Sequence, residues 1–273
     1  MTCGAVFARR KSNVTNQNKF MCCFSRPVIS VSATNIFARA GEAGRQFLVY
    51  SMTLNAKDDL AMVLALPVKI GSDEKDVSFI DLSGYADFFA DLQRGFPAPK
   101  TKSLGTRGAD VTLLSAHPLT VVNVGSFEAS FVPTVKDFSR LDERFRLPAD
   151  TWNQLPAYHD YGFAVFKLKP GVATVHPMAF SFPRRDRKAL FFPTVHIHDG
   201  TVHPQADFDH TLYCQPHEHE HLQLRDWRES PANAKNFIKV DKAKGLIEPD
   251  PHCYQKQLHG QLPNLDTFVS IAA

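Results

Sequence analysis

The stretch Gln46-Phe47-Leu48-Val49-Tyr50-Ser51-Met52-Thr53-Leu54, the polar break from Asn55 to Asp59, and the run Leu60-Ala61-Met62-Val63-Leu64-Ala65-Leu66-Pro67-Val68 decide the fold. Short apolar runs with β-branched and aromatic content, bounded by turn residues, read as buried strands. The second run is the longest uncharged apolar stretch, nine residues. A membrane-spanning helix needs about 20, so no span is expected. Upstream, Pro27 to Arg39 is rich in Val, Ile and Thr, and Gly41-Glu42-Ala43-Gly44 signals a turn. Downstream, Val77 to Leu82 is another extended run. Together these predict an antiparallel meander.

Tyr85, Phe88, Phe89 and Leu92 recur with helical spacing, with Ser83 placed to cap and Gly95 to stop. Their aromatic stripe reads as core rather than as a cofactor box. Phe96 to Asp110 reads as a long loop rich in Pro, Gly and Lys. Strands are predicted at Val111 to Leu114, Leu119 to Val124, Ser126 to Val132, Tyr161 to Lys169, Val172 to Phe182 and Ala189 to His198, with short helices at Val135 to Phe145 and Ala149 to Leu155. The fold class that follows is α+β, mainly β, an antiparallel sandwich or partly closed barrel with a few short helices. Residues 1–20 are expected to be a disordered basic arm. Residues 21–273 are expected to form a single globular domain, with a polar C-terminal segment from about 226 packed on it.

Composition narrows the function. The chain has 273 residues, 44% of them hydrophobic and 22% charged, with a net charge of +3. That balance fits a globular protein and argues for neither nucleic acid nor membrane as a partner. Five cysteines make no disulfide framework in a chain of this size. With no secretory signal, a reducing, cytoplasmic setting is expected, although the basic, Ser/Asn-containing leader also suits a weak organelle address. Walker, Gly-x-Gly-x-x-Gly, Gly-x-Ser-x-Gly and His-Glu-x-x-His patterns are all missing.

Seven of the twelve histidines fall between residues 196 and 221. Within Phe191 to Pro204, Asp199-Gly200 is a two-residue hairpin signal. A turn there sets His196 opposite His203 and Ile197 opposite Val202. Side chains alternate along a strand, so His196, His198, Thr201 and His203 share one face and Val195, Ile197 and Val202 the other. Opposed side chains lie about 4.5–5.5 Å apart, close enough for three imidazoles to hold one ion. His210 on the next strand, Phe208 to Gln215, is placed to complete the set, with Cys214 on the same face. Asp207 and Asp209 are candidates to orient a ligating ring. Imidazole ligands suit zinc, copper or iron.

The leading expectation is therefore a metal-binding protein with ligands His196, His198, His203 and His210 and a divalent metal as cofactor. If the ion is catalytic, the protein is a metal-dependent hydrolase or oxidoreductase acting on a small-molecule substrate. A solvated histidine face on a non-catalytic interaction or structural protein gives the same alternation, as does acid–base use without metal. His217, His219 and His221 read as a solvated polar loop. Arg184, Arg185, Arg187 and Lys188, broken by Asp186, read as a hairpin tip in solvent, with an anion site as the alternative. If translation starts at Met21, Cys22 becomes an N-terminal residue and a candidate nucleophile of a hydrolase.

Met21-Cys22-Cys23-Phe24, the strand Gln46 to Met52 and the Pro-containing run Leu60 to Val68 resemble, over residues 21–95, the opening of an uncharacterised bacterial domain family with a Met-Cys start. Cys23 departs from that family, which has a small residue there. The resemblance implies a start near Met21 and carries no catalytic residue.

Overall fold

The computed structural model describes residues 23–97, 122–124, 127–147, 149–197, 202–217 and 221–272. The N-terminal arm, Cys22, most of the Phe96–Asp110 loop, the strand expected at Val111 to Leu114, and the Asp199-Gly200 turn lie outside these residues.

The first part of the chain forms β1 (Cys23–Phe24), β2 (Ser30–Ala40), β3 (Arg45–Ala56), β4 (Leu60–Leu66), β5 (Ser78–Ile80) and helix α1 (Phe88–Arg94). Next come β6 (Val122–Val124), β7 (Phe127–Val132), the short helix α2 (Ala149–Asn153), β8 (Gly162–Leu168), β9 (Gly171–Thr174), β10 (Met178–Pro183) and β11 (Ala189–Phe192). The chain closes with β12 (Gln205–Gln215), β13 (His221–Leu222), β14 (Arg228–Glu229), β15 (Tyr254–Pro263) and β16 (Thr267–Ala272).

The strands make three sheets, and the fold is mainly β with a few short helices, as expected. The largest runs β14-β15-β12-β2-β3-β10-β5, with β9 also on β3. The second runs β1-β4-β8-β7-β6 and the third β11-β16-β13. Among the described strands every pair is antiparallel except β12 with β2, which is parallel.

Alternation along the strands sorts the side chains into three cores. Leu48, Tyr50, Met52 and Leu54 of β3 meet Leu60, Met62, Leu64 and Leu66 of β4 and Phe166 of β8 between the two large sheets. The odd-numbered residues Ala61, Val63 and Ala65 of β4 face the other way, under Phe138, Phe145, Trp152 and Tyr158. That double coverage explains why β4 shows no polar alternation: each of its seven residues is buried. On the far side of the large sheet, Phe37, Val49 and Tyr213 pack under α1 and the segment from Ala234 to Ile247.

The aromatic stripe at 85–92 is core, as its spacing predicts: Tyr85, Phe88, Phe89 and Leu92 are all buried. The helix itself is shorter than expected. Ser83–Tyr85 form a separate 3-10 turn, and Ser83 supplies no side-chain cap. Val135 to Phe145 also folds as two 3-10 turns, Val135–Arg140 and Glu143–Phe145. The strand expected at Val172 to Phe182 breaks into β9 and β10 around His176-Pro177, because proline supplies no N–H for a ladder bond.

The segment after 226 is no appended tail. β15 pairs with ten consecutive residues of β12, from Gln205 to Cys214, and so lies inside the large sheet. Its polar look arises because one face of β15 stays open beyond Gln255, so that Gln257, His259 and Gln261 are exposed.

Candidate functional site

The strand expected from Ala189 to His198 stops at Phe192, where Pro193 follows. Beyond it, Thr194, Val195 and His196 bond to side chains, before Ile197 makes a single parallel bridge to Cys23 of β1. One Asp266 carboxylate oxygen accepts the N–H groups of Thr194 (2.9 Å) and Val195 (3.1 Å). The other accepts the Tyr158 hydroxyl. The Asn264 carboxamide accepts the His196 N–H (2.7 Å) and donates to the carbonyls of His196 (2.8 Å) and His203 (2.9 Å). Asn264 and Asp266 therefore stand in for a strand edge and bring residues 194–196 and 203 to the turn between β15 and β16.

Val195, Ile197 and Val202 pack on one apolar cluster, as the alternation predicts. His196 leaves that cluster for the interior. It is 2% exposed and His210 is 1% exposed, so neither belongs to a solvated face. Their ring centres lie 4.9 Å apart, and Phe208 stacks on both, at 4.2 Å from His196 and 5.1 Å from His210. Phe208, His210, Leu212 and Cys214 share the buried face of β12, as the sequence predicts. Both ring nitrogens of His210 are buried and make no hydrogen bond. Burial disfavours the imidazolium and pushes the His210 pKa down to about 3, so the ring is neutral at physiological pH.

The other expected ligands part from this pair. His203 is exposed. His198 lies outside the described residues. Asp209, a candidate to orient a ring, instead accepts the N–H of Ala33 (2.9 Å), at the point where β2 shifts register against β3 and Ala33 takes a φ of 52°. Cys214 is fully buried, and desolvation raises its thiol pKa well above the ordinary value. Among the described residues, no group of three or more His, Cys, Asp and Glu side chains is placed to hold a metal ion.

A second feature lies where β10 leaves the large sheet for the third sheet. The connection Arg184 to Lys188 is not a hairpin tip, since β10 pairs with β3 and β5 while β11 pairs with β16. Arg184 is only 7% exposed. It lines a small groove of about 130 Å³ with Tyr161, Phe182, Arg185, Phe191 and Phe268. The Arg185 guanidinium lies 4.9 Å above the Tyr161 ring and pairs with Asp160 at 2.9 Å. Phe191 contacts both Tyr161 and Phe268. Phe268 is 52% exposed and nearby Leu265 68%, two of the most exposed large apolar residues described.

No family model matches the sequence. Similar solved structures are of baculovirus P35. The crystal structure of that protein is 12% identical, with 89% of this chain and 97% of that chain covered and a TM-score of 0.49. A mutated baculovirus P35 after caspase cleavage is 12% identical, covering 88% and 100%, with a TM-score of 0.46. P35 in a caspase-8/P35 complex is 12% identical, covering 88% and 96%, with a TM-score of 0.42. Likeness of this degree carries no inference about what this chain binds.

The groove was not legible as a site in the sequence. Its aromatic residues come from four separate segments, and Phe268 sits in a stretch without strong periodicity. The one local signal was the basic run at 184–188, which also suits a solvated loop. Only the burial of Arg184 separates the two readings.

Proposed function

We propose that the protein is a non-catalytic interaction protein that docks a protein partner on the surface around Phe268. One observation carries this reading: Tyr161, Arg185, Phe191 and Phe268 form a connected aromatic and guanidinium cluster that opens to solvent beside exposed Leu265. Aromatic residues and arginine are the types enriched at the centres of protein interfaces, whereas isolated exposed apolar side chains are ordinary. Among the described residues Cys214 and Cys253 are buried thiols outside any disulfide, which is compatible with a reducing setting. No described helix is long and apolar enough to cross a membrane. The test is a photo-crosslinking residue placed at position 268 in the full chain in its native cell, with position 70, an even more exposed apolar site, as the control. The expected result is one protein, identified by mass spectrometry, that attaches at 268 and not at 70. Adducts equal at both positions sink the reading.

A second reading, metal binding, draws on the two buried nitrogens of His210 facing no hydrogen-bond partner beside the His196 ring. Zinc–nitrogen bonds of about 2.0–2.1 Å are compatible with rings at that spacing. Elemental analysis of untagged protein tests it: metal at one equivalent, lost in His210→Leu, supports the reading, and equal metal content in both proteins ends it.

A further inference from the structure

Resting on the interaction reading, we infer that the groove beside Phe268 takes one uncharged apolar side chain of the partner, of the size of phenylalanine or leucine. Volume sets the size. An apolar cavity of about 150 Å³ holds a benzene ring, and this groove offers about 130 Å³. That is room for one phenyl ring or one branched aliphatic group. Pockets for drug-sized molecules and cofactors begin at about 300 Å³. The walls set the chemistry: Phe182 and Phe191 are buried, Tyr161 is partly buried, and Phe268 is half exposed at the mouth. An apolar group entering there displaces water from ring surfaces.

The charges around the groove balance. Arg184, Arg185 and Asp186 line it, and Asp160 pairs with Arg185 at 2.9 Å. Two guanidinium groups thus stand against two carboxylates. An ionised side chain entering the groove loses its hydration and gains no net counter-charge, so the occupant is neutral. What lies outside the groove shows that the occupant belongs to something larger. Leu265, 68% exposed, is not part of the lining, and Phe268 at the mouth is 52% exposed. A free molecule of benzene size leaves both in water. A side chain that projects from a protein surface brings further area to cover them, as an anchor does at the centre of an interface.

The test uses the full chain and blocked amino acids as probes, with affinity and site both read from NMR shifts. N-acetyl-phenylalaninamide and N-acetyl-leucinamide are expected to bind at least tenfold more tightly than the alanine, glutamate and lysine probes of the same form, with no dependence on salt. Ala189 lines the groove from β11 and is partly exposed, so Ala189→Leu fills the space from within. That variant should keep the parent's melting temperature, bind the phenylalanine probe at least tenfold more weakly, and lower the crosslink yield at position 268 at least fivefold. Phe268→Ser, an exposed change with no demand on folding, should weaken the probe at least threefold. Equal affinity for the phenylalanine and alanine probes overturns the inference, as does a charged probe that binds as tightly or unchanged binding by Phe268→Ser. A chain that sediments as a dimer, and as a monomer in Phe268→Ser, overturns it in favour of a second copy as occupant. If the probe arms fail while crosslinks at position 268 persist, the ligand chemistry is wrong and the interaction reading stands. If the probes bind while crosslinks at 268 and 70 are equal, the groove is a small-molecule site and both readings fall.

Discussion

The Asp266 carboxyl is held by two backbone N–H groups and the Tyr158 hydroxyl, and the residue as a whole keeps some surface exposed. Desolvation of the carboxyl outweighs those hydrogen bonds and raises its pKa to about 6. A carboxyl that holds its proton more tightly when folded stabilises the fold below the unfolded value near 4. That contribution is lost as pH rises through 6. Chemical denaturation from pH 4 to 7 should therefore show Asp266→Asn losing about 2–3 kcal/mol less stability than the parent, since the amide keeps the accepting oxygen and carries no charge. Asn264→Ala removes the acceptor for the buried His196 N–H, and a cost of about 1–3 kcal/mol is expected in urea titrations. These two residues also show why the histidine hairpin was only half legible. Alternation placed Val195, Ile197 and Val202 together and His196 apart from them. Nothing local in the sequence showed that side chains some 70 positions away would replace the ladder bonds between 196 and 203.

Helix α1 is held by rings rather than by caps. Its N-terminus has no side-chain cap, while Phe88 packs edge-on against Phe37, Tyr85 and Phe89 at centroid distances of 5.2–5.8 Å. Phe88→Ala should cost about 3–5 kcal/mol in a denaturant titration, near the top of the range for core truncations, because Phe88 is fully buried on every side. A loss below 1 kcal/mol would show that the helix contributes little to the fold. Elements whose partners cover one or both faces evenly were the legible ones: β3, β4, β8 and the stripe of α1 follow directly from periodicity. Those set by distant partners were not. β11 ends where Pro193 redirects the chain to Asn264 and Asp266, and β15 looks polar because only one of its faces is covered.

Across the whole molecule the large sheet is stitched from both ends of the sequence. β12 lies between β2 and β15, so residues near 35 and near 258 share one central strand as neighbour. A chain ending at Arg225 would lose β15 and β16, uncover one edge of β12 along its length, and strip Ala234, Ile238, Leu246 and Ile247 from the core over Tyr213. Such a chain should show no cooperative thermal transition by circular dichroism, whereas an appended tail would have left the melting curve intact.

The parallel pairing of β12 with β2 also bears on how the protein is made. The exposed edge of β2 emerges from the ribosome long before its mate. At translation rates of about 5–20 residues per second, the wait from Ala40 to Gln205 is roughly 10–30 s. For that interval a strand with several fully buried residues in the finished fold has its hydrogen-bonding edge open to any passing chain. Yield in the cell should thus depend on a chaperone that shields the nascent N-terminal half until the last third has been synthesised.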